Sequence, residues 1–136
     1  MTLHERCPIL HFTDFGDERG KLVVIESAQA IPFRIERVFY IYDSDSTVVR
    51  GQHANRESEF VLINVAGKSK VRITDGADEI IVKLDKPMMG VYIPKMIWKD
   101  MYEFSPDSVL LVLASTHYDS EEYIRDYEEY LKEMKR

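Results

Sequence analysis

The sequence predicts an all-β fold closed by one C-terminal α-helix. Three observations lead there. Short runs rich in β-branched and aromatic residues recur at close spacing, separated by glycine, asparagine and aspartate. Their apolar residues alternate or run continuously, as strand residues do, as far as Ser115. Only after Asp119 does the apolar spacing change to steps of three and four.

Each element has its own warrant. Residues 21–27 (KLVVIES) follow Gly16 and Gly20 and read as a strand. Residues 33–42 (FRIERVFYIY) alternate: Phe33, Ile35, Arg37, Phe39 and Ile41 share one face, and Arg34, Glu36, Val38, Tyr40 and Tyr42 share the other. The cluster at residues 43–47 (DSDST) is a turn. Residues 59–65 (EFVLINV) and 69–74 (SKVRIT) flank Ala66-Gly67-Lys68, which reads as a short hairpin connection. Asp75-Gly76 is a type I′ hairpin signal leading into residues 79–84 (EIIVKL). Residues 90–94 (GVYIP) and 109–115 (VLLVLAS) complete the strands, and many short strands with such turns form a sandwich or barrel. Asp119, with Glu122 three residues on, is an N-cap signal for the helix. Ile124, Tyr127, Leu131 and Met134 then form its apolar stripe, with Lys132, Lys135 and Arg136 at the end the helix dipole prefers.

Length and composition bound the function. The 136 residues make one domain, 1–136, large enough to bury a core without a disulfide or metal staple. With 45% hydrophobic and 31% charged residues, this is a globular composition and not a disordered one. The single cysteine, Cys7, excludes an intramolecular disulfide framework. No apolar run reaches membrane-span length and no signal-type h-region follows the N-terminus, so the expected location is cytoplasmic, with no membrane partner. A net charge of −6 argues against nucleic-acid binding. That charge is uneven: residues 119–136 hold seven acids and four bases, whereas residues 48–58 hold two arginines and one glutamate. The arginine-bearing loop suits a small anionic ligand.

Chemistry should lie where polar residues interrupt the strands, and the densest such stretch is residues 49–59 (VRGQHANRESE). Gly51, His53, Asn55, Glu59 and Gly67 resemble the first signature of the cupin superfamily. That signature presents two imidazoles, two residues apart, from one strand face into a barrel. Here the second imidazole is replaced by Asn55. Gly90 and Pro94 look like the later cupin signature, but Met96-Ile97-Trp98-Lys99 contains no histidine. His53 and Glu59 alone make a poor metal site, so neither metal nor other cofactor is expected.

Further stretches carry a more specific resemblance. They are Asp17-Glu18-Arg19-Gly20, Ile31-Pro32-Phe33 through Arg37-Val38-Phe39-Tyr40, Arg50-Gly51-Gln52-His53-Ala54, Gly90-Val91-Tyr92-Ile93-Pro94 with Trp98, and His117-Tyr118-Asp119 through Tyr123-Ile124-Arg125-Asp126-Tyr127. Together, in unbroken order from about Phe12 to Tyr130, they resemble the sugar 3,4-ketoisomerases of the WxcM-like, FdtA/QdtA cupin family. The resemblance implies a cupin-type jelly-roll barrel without a metal. It implies a homodimer in which an N-terminal strand crosses to the partner. The activity implied is transfer of the carbonyl of a dTDP-4-keto-6-deoxyhexose from C4 to C3, on the way to amino sugars of surface polysaccharides.

Such a reaction needs a base near neutrality, a donor for the enolate oxygen and a proton carrier between the two oxygens. The resemblance places the base on His53, and histidine suits it by its intrinsic pKa. Arg19 matches the arginine of the family's Asp-x-Arg-Gly motif. Asn55, in place of the family's second histidine, can hydrogen-bond but cannot relay a proton as imidazole does. That leaves Tyr40, Tyr42, Tyr92 or a water for the second role. The expected catalytic residues are therefore His53, Arg19 and Tyr40. The expected substrate-binding residues are Arg50, Asn55, Tyr42, Glu59, Tyr92 and Trp98, with arginine suited to a diphosphate and Trp98 to stacking on a base. Three alternatives stay open: an epimerase sharing the enolisation step, a cupin that binds a nucleotide sugar without turning it over, and a metallo-cupin with a reduced ligand set.

Overall fold

The computed structural model describes residues 1–135, so Arg136 lies outside the described residues. The chain begins with one helical turn, α1 (Leu3–Arg6), closed by a capping box between Thr2 and Glu5. Twelve strands follow: β1 (Ile9–His11), β2 (Asp14–Asp17), β3 (Gly20–Val23), β4 (Arg37–Tyr42), β5 (Arg50–Asn55), β6 (Phe60–Ala66), β7 (Ser69–Thr74), β8 (Glu79–Leu84), β9 (Met89–Ile93), β10 (Trp98–Tyr102), β11 (Val109–Ala114) and β12 (Tyr123–Ile124). The chain ends in α2 (Tyr127–Met134).

Two antiparallel five-stranded sheets face each other, in the orders β1-β9-β6-β11-β4 and β12-β5-β10-β7-β8. This is the jelly-roll barrel the sequence implied. Its interior is a cluster that includes Phe60, Leu62, Val71, Ile73, Val91, Ile93, Leu110 and Val112, and Leu3 and Cys7 from the N-terminal turn are buried in it too. Burial pushes the Cys7 thiol up to about 11, so it stays a neutral core side chain. A second apolar layer, Phe12, Ile31 and Phe33 on Val61, Ile63 and Leu113, covers the outer face of the first sheet. A third seats α2 on the outer face of the second sheet, with Trp98, Ile124 and Tyr130 at its centre.

Several elements differ from the sequence expectation, each for a physical reason. The strand expected at 21–27 ends at Val23, because its only partner is the four-residue β2. Of residues 33–42 only Arg37–Tyr42 is strand. Phe33 is instead buried in the outer layer and Ile35 takes a backbone hydrogen bond from its N–H to the Ser27 hydroxyl. The connection at Gly67 is not a hairpin: β6 and β7 belong to opposite sheets, so the chain crosses the barrel end there. Gly67 has φ +65°, and a Cβ would come within 2.4 Å of the Ser105 hydroxyl, so only glycine fits. The Asp75-Gly76 turn runs over four residues, because Asp75 Oδ1 accepts from the N–H groups of Ala77 and Asp78 before β8 begins. Asp119 caps only a 3-10 turn, Ser120–Glu122. Tyr123 and Ile124 then pair with Asn55 and Ala54, and the helix starts one step later at its true cap, Asp126.

Candidate active site

The site grows from a defect in β5. Along the β5–β10 ladder, Lys99 is opposite His53 and Asp100 is opposite Gly51, so Gln52 is an extra residue with no partner. Gly51 and Gln52 both take positive φ, +80° and +56°. A Cβ on Gly51 would press on the Lys99 carbonyl and the Met101 methyl, both at 3.0 Å, which is why a glycine stands there. Such bulges re-aim side chains, and this one sets His53 directly across the ladder from Lys99, on the barrel's inner face.

Inside lies a cavity of about 130 Å³ lined by Arg50, Gly51, His53, Lys99, Tyr123, Phe60 and apolar neighbours such as Phe39, Ile41 and Met101. The Nδ1–H of His53 donates to the Gly51 carbonyl at 3.0 Å. A carbonyl can only accept, so this bond fixes the neutral tautomer and leaves Nε2 with its lone pair. The Tyr123 ring stands edge-on to the imidazole, with centroids 4.7 Å apart. Burial, then the positive charge of Lys99, push the His53 pKa down to about 3. The imidazole is therefore neutral across the physiological range with Nε2 unprotonated, and in this lumen it is a weaker base than the near-neutral group expected from sequence.

Lys99 is 3% exposed, and its ammonium sits 4.1 Å from the centroid of the Phe60 ring. Its Nζ donates to Asn55 Oδ1 at 3.3 Å. Burial pushes its pKa down to about 7; Glu122 opposes that shift and Arg37 adds to it. Asn55 donates in turn to Glu122 Oε2 at 2.7 Å. Glu122 also accepts from the Glu57 N–H at 2.8 Å, the Ser58 N–H at 3.0 Å and the Ser58 hydroxyl. Burial alone would raise the Glu122 carboxyl, but these donors outweigh it and hold the group below its ordinary value. Arg37, on β4, donates to the Tyr123 hydroxyl at 3.3 Å and lies over the Phe39 and Phe60 rings. Arg125 lies over the Tyr123 ring, 4.5 Å from its centroid. An acidic chain thus encloses a cationic lumen.

Of the residues expected from sequence, the structure brings His53 and Arg50 to the cavity wall and sets Asn55 behind it, against Lys99. It leaves the others outside the cavity. Arg19 is on the exposed β2–β3 hairpin, paired through its guanidinium with Asp17 at 2.6 Å. Tyr40 and Tyr42 are on the outer face of the edge strand β4, 62% and 61% exposed, because the inner face of that strand takes Phe39 and Ile41. Tyr92 points away from the lumen into the outer apolar layer, and its hydroxyl donates to Glu59 at 2.5 Å. Trp98 is 5% exposed beneath α2, edge-on to Tyr127 with centroids 5.0 Å apart, and cannot stack on a ligand there. His53 and Glu59 do not converge, and among the described residues no three histidine, cysteine, aspartate or glutamate side chains could hold a metal.

Four residues of the site were not picked out from sequence: Lys99 and Tyr123, which line the cavity, and Arg37 and Glu122, which hold Tyr123 and Asn55 from behind it. Lys99 carried a usable signal. In WKDMY, strand alternation puts Lys99 on the face of Met101, and a lysine sharing a face with core residues must be neutralised, paired or used.

Barrel, bulge and cationic lumen define a cupin whose inner face presents one imidazole with its basic nitrogen free. The chain belongs to the FdtA family, described as WxcM-like, C-terminal, whose model matches residues 5–135. It is 40% identical over 124 residues to the TDP-4-oxo-6-deoxy-alpha-D-glucose-3,4-oxoisomerase of Aneurinibacillus thermoaerophilus, covering 91% of this chain and 89% of that one. The crystal structure of QdtA, a sugar 3,4-ketoisomerase from Thermoanaerobacterium thermosaccharolyticum in complex with TDP, superposes with a TM-score of 0.95 at 39% identity, over 98% of this chain and 97% of that one. A histidine-to-asparagine mutant of QdtA in complex with TDP-4-keto-6-deoxyglucose superposes with a TM-score of 0.94 at 38% identity, over 99% and 96%. Among the described residues no helix is long and apolar enough to cross a membrane.

Proposed function

We propose that this protein is a nucleotide-sugar 3,4-ketoisomerase acting on a dTDP-4-keto-6-deoxyhexose. One observation carries the reading. His53 lies in a cationic lumen with its Nε2 unprotonated, in a chain alike over nine-tenths of its length to an enzyme named for this reaction on TDP-4-oxo-6-deoxyglucose. His53 removes the proton from C3, next to the C4 carbonyl, and an enediol forms; the proton returns at C4, leaving the ketone at C3. Arg50, at the mouth of the lumen, suits the diphosphate through bidentate hydrogen bonds. Asn55 orients Lys99 rather than touching sugar first, since its amide is committed to Lys99 and Glu122.

Under the same reading the enzyme serves cytoplasmic synthesis of deoxy and amino sugars for surface polysaccharide, and its working unit is a homodimer. Two features support the dimer. The β2–β3 hairpin pairs only with itself and exposes Phe15 and Leu22, and β4 is an edge strand exposing Val38, Tyr40 and Tyr42. Exchange of that hairpin would carry Arg19 toward a neighbouring barrel, which is where its catalytic assignment would apply.

The test is incubation with TDP-4-keto-6-deoxyglucose in deuterated water, followed by NMR. The expected product is the 3-keto isomer, carrying deuterium at C4 in the fraction of turnovers in which the His53 imidazolium exchanges with solvent before the proton returns, and His53→Asn abolishes both exchange and product. Recovery of a 4-keto sugar inverted at C3 would replace this reading with an epimerase. Tight binding with no exchange would replace it with a binding module.

A further inference from the structure

The reaction moves two protons. One passes from C3 to C4 and the other from the C3 oxygen to the C4 oxygen. His53 accounts for the first, and Asn55 cannot supply the second because an amide does not exchange a proton in this way. The lumen holds another group that can. Lys99 faces His53 directly across the β5–β10 ladder, lines the same cavity, and is 3% exposed. Among the described residues its hydrogen-bond acceptor is Asn55 Oδ1 at 3.3 Å, and its ammonium lies 4.1 Å from the Phe60 centroid, which leaves N–H bonds for a ligand in the cavity that both residues line.

We propose, on the ketoisomerase reading above, that Lys99 is the second proton carrier, giving its proton to the C4 oxygen and taking one from the C3 hydroxyl. The electrons balance within the substrate. As the C3–H bond breaks onto His53 Nε2, its pair forms the C3–C4 double bond. The π pair of the C4 carbonyl then takes the Lys99 proton as a new O–H. In the second half the C3 hydroxyl proton passes to the neutral Lys99 amine and the oxygen's pair forms the C3 carbonyl. The C3–C4 π pair takes the proton from the His53 imidazolium at C4. Both side chains return to their starting states, and no outside oxidant or reductant takes part.

The geometry makes the two transfers help each other. The Lys99 charge is among the causes that keep His53 unprotonated. When Lys99 gives up its proton, that repulsion disappears at the moment His53 acquires a charge, so the lumen's net charge never rises. Lys99 also sits close to neutrality, at about 7, where a group can both donate and accept.

The experiment compares wild type, Lys99→Met and Lys99→Arg on TDP-4-keto-6-deoxyglucose, with TDP affinity and melting temperature measured on each. The expected result is a kcat loss of about 100-fold or more in both variants, the range general acid–base catalysis supplies, with TDP affinity held within about threefold. Deuterium exchange at C3 falls together with product formation. Arginine is the informative variant: it keeps the positive charge but cannot release its proton. Recovery of wild-type kcat in Lys99→Arg would reduce Lys99 to a fixed charge and overturn the proposal, as would retention of kcat in Lys99→Met. A loss confined to KM, or one matched by lost TDP binding and melting temperature, would assign Lys99 a structural role instead. Should wild type itself leave the substrate unchanged, the ketoisomerase reading fails and the lysine proposal with it; wild-type turnover with active variants sinks the lysine proposal alone.

Discussion

Glu122→Gln tests whether the buried network behind the lumen is organised by a carboxylate. Glu122 is 5% exposed and accepts from four donors: on Oε1 the N–H groups of Glu57 and Ser58, on Oε2 the Asn55 amide and the Ser58 hydroxyl. A carboxylate presents two acceptors and no donor. Glutamine has the same shape but one oxygen, so its NH2 must meet one of the two donor pairs. With the NH2 on the Oε1 side, two backbone N–H groups lose their acceptor. With it on the Oε2 side, Ser58 can turn to Thr116, but Asn55 meets donor with donor. Asn55 could flip its amide, yet that would turn its own NH2 onto the Lys99 ammonium. Either way one or two buried donors are left unpaired, at about 1–3 kcal/mol each, for a loss of about 3 kcal/mol. Unfolding entropy near 2.1 cal/mol/K per residue over 136 residues makes that about a 10 °C fall in melting temperature. The sign of the pH dependence follows from the carboxyl being held below its ordinary 4.5 in the folded state. Its stabilisation is present above that value and is lost as pH falls through the lower folded-state value. The gap between wild type and variant should therefore be full at pH 7.5 and close as pH falls below 4.5 through the lower folded-state value. The assay is urea and thermal unfolding followed by the single tryptophan, Trp98, at several pH values. A melting loss under about 3 °C at pH 7.5, or a gap that persists in acid, refutes the reasoning.

Three more outcomes follow from the same structure. Burial holds Lys99 at about 7 against an ordinary 10.5, so wild-type stability should fall as pH drops from about 10 to 7, and Lys99→Met should flatten that limb and raise the melting temperature at pH 7; an unchanged slope in denaturant titrations across this window would contradict it. Tyr130 is fully buried and donates to the carbonyls of Met96 at 2.9 Å and Thr74 at 3.2 Å, so Tyr130→Phe should cost about 1–2 kcal/mol in urea unfolding with the m-value unchanged. Gly67→Ala forces a Cβ into a residue at φ +65° against Ser105, and should cost about 2 kcal/mol by the same measurement; a neutral result would mean that the crossing between the sheets can relax.

How far the sequence can be read depends on which side of the barrel wall a residue faces. Residues 69–74 and 79–84 are strands with the expected bounds, and β6, β9 and β11 fall within a residue of expectation. Each buries one regular apolar face, so its period of two survives in the letters. Alternation also sorted residues 37–42 into the right two faces. It could not say which face was the lumen, because an edge strand can carry tyrosines outside as readily as inside, and Tyr40 and Tyr42 proved to be outside. The helix start was displaced because Asp119 and Asp126 both carry capping chemistry, and only pairing of Tyr123 and Ile124 with β5 selects the second. That selection is a tertiary contact and leaves no local mark.

Among the strands the sequence did not reveal is β10, and the reason bears on function. WKDMY breaks the apolar pattern at Lys99, the one residue of the strand whose side chain is both charged and buried in the lumen. A methionine there would fill similar volume, keep the ladder and remove a charge whose burial costs stability. The fold has no need of the ammonium. What the fold does supply is everything that keeps it in place: a bulge at Gln52 that sets His53 opposite, an asparagine to hold Nζ, and a four-donor glutamate behind that asparagine. Asn55 reads differently in this light. Where the cupin signature has a second imidazole, this chain has an amide that carries no proton itself but aims a lysine that can. The place where sequence periodicity fails is therefore the place where local stability has been given up for a reactive group.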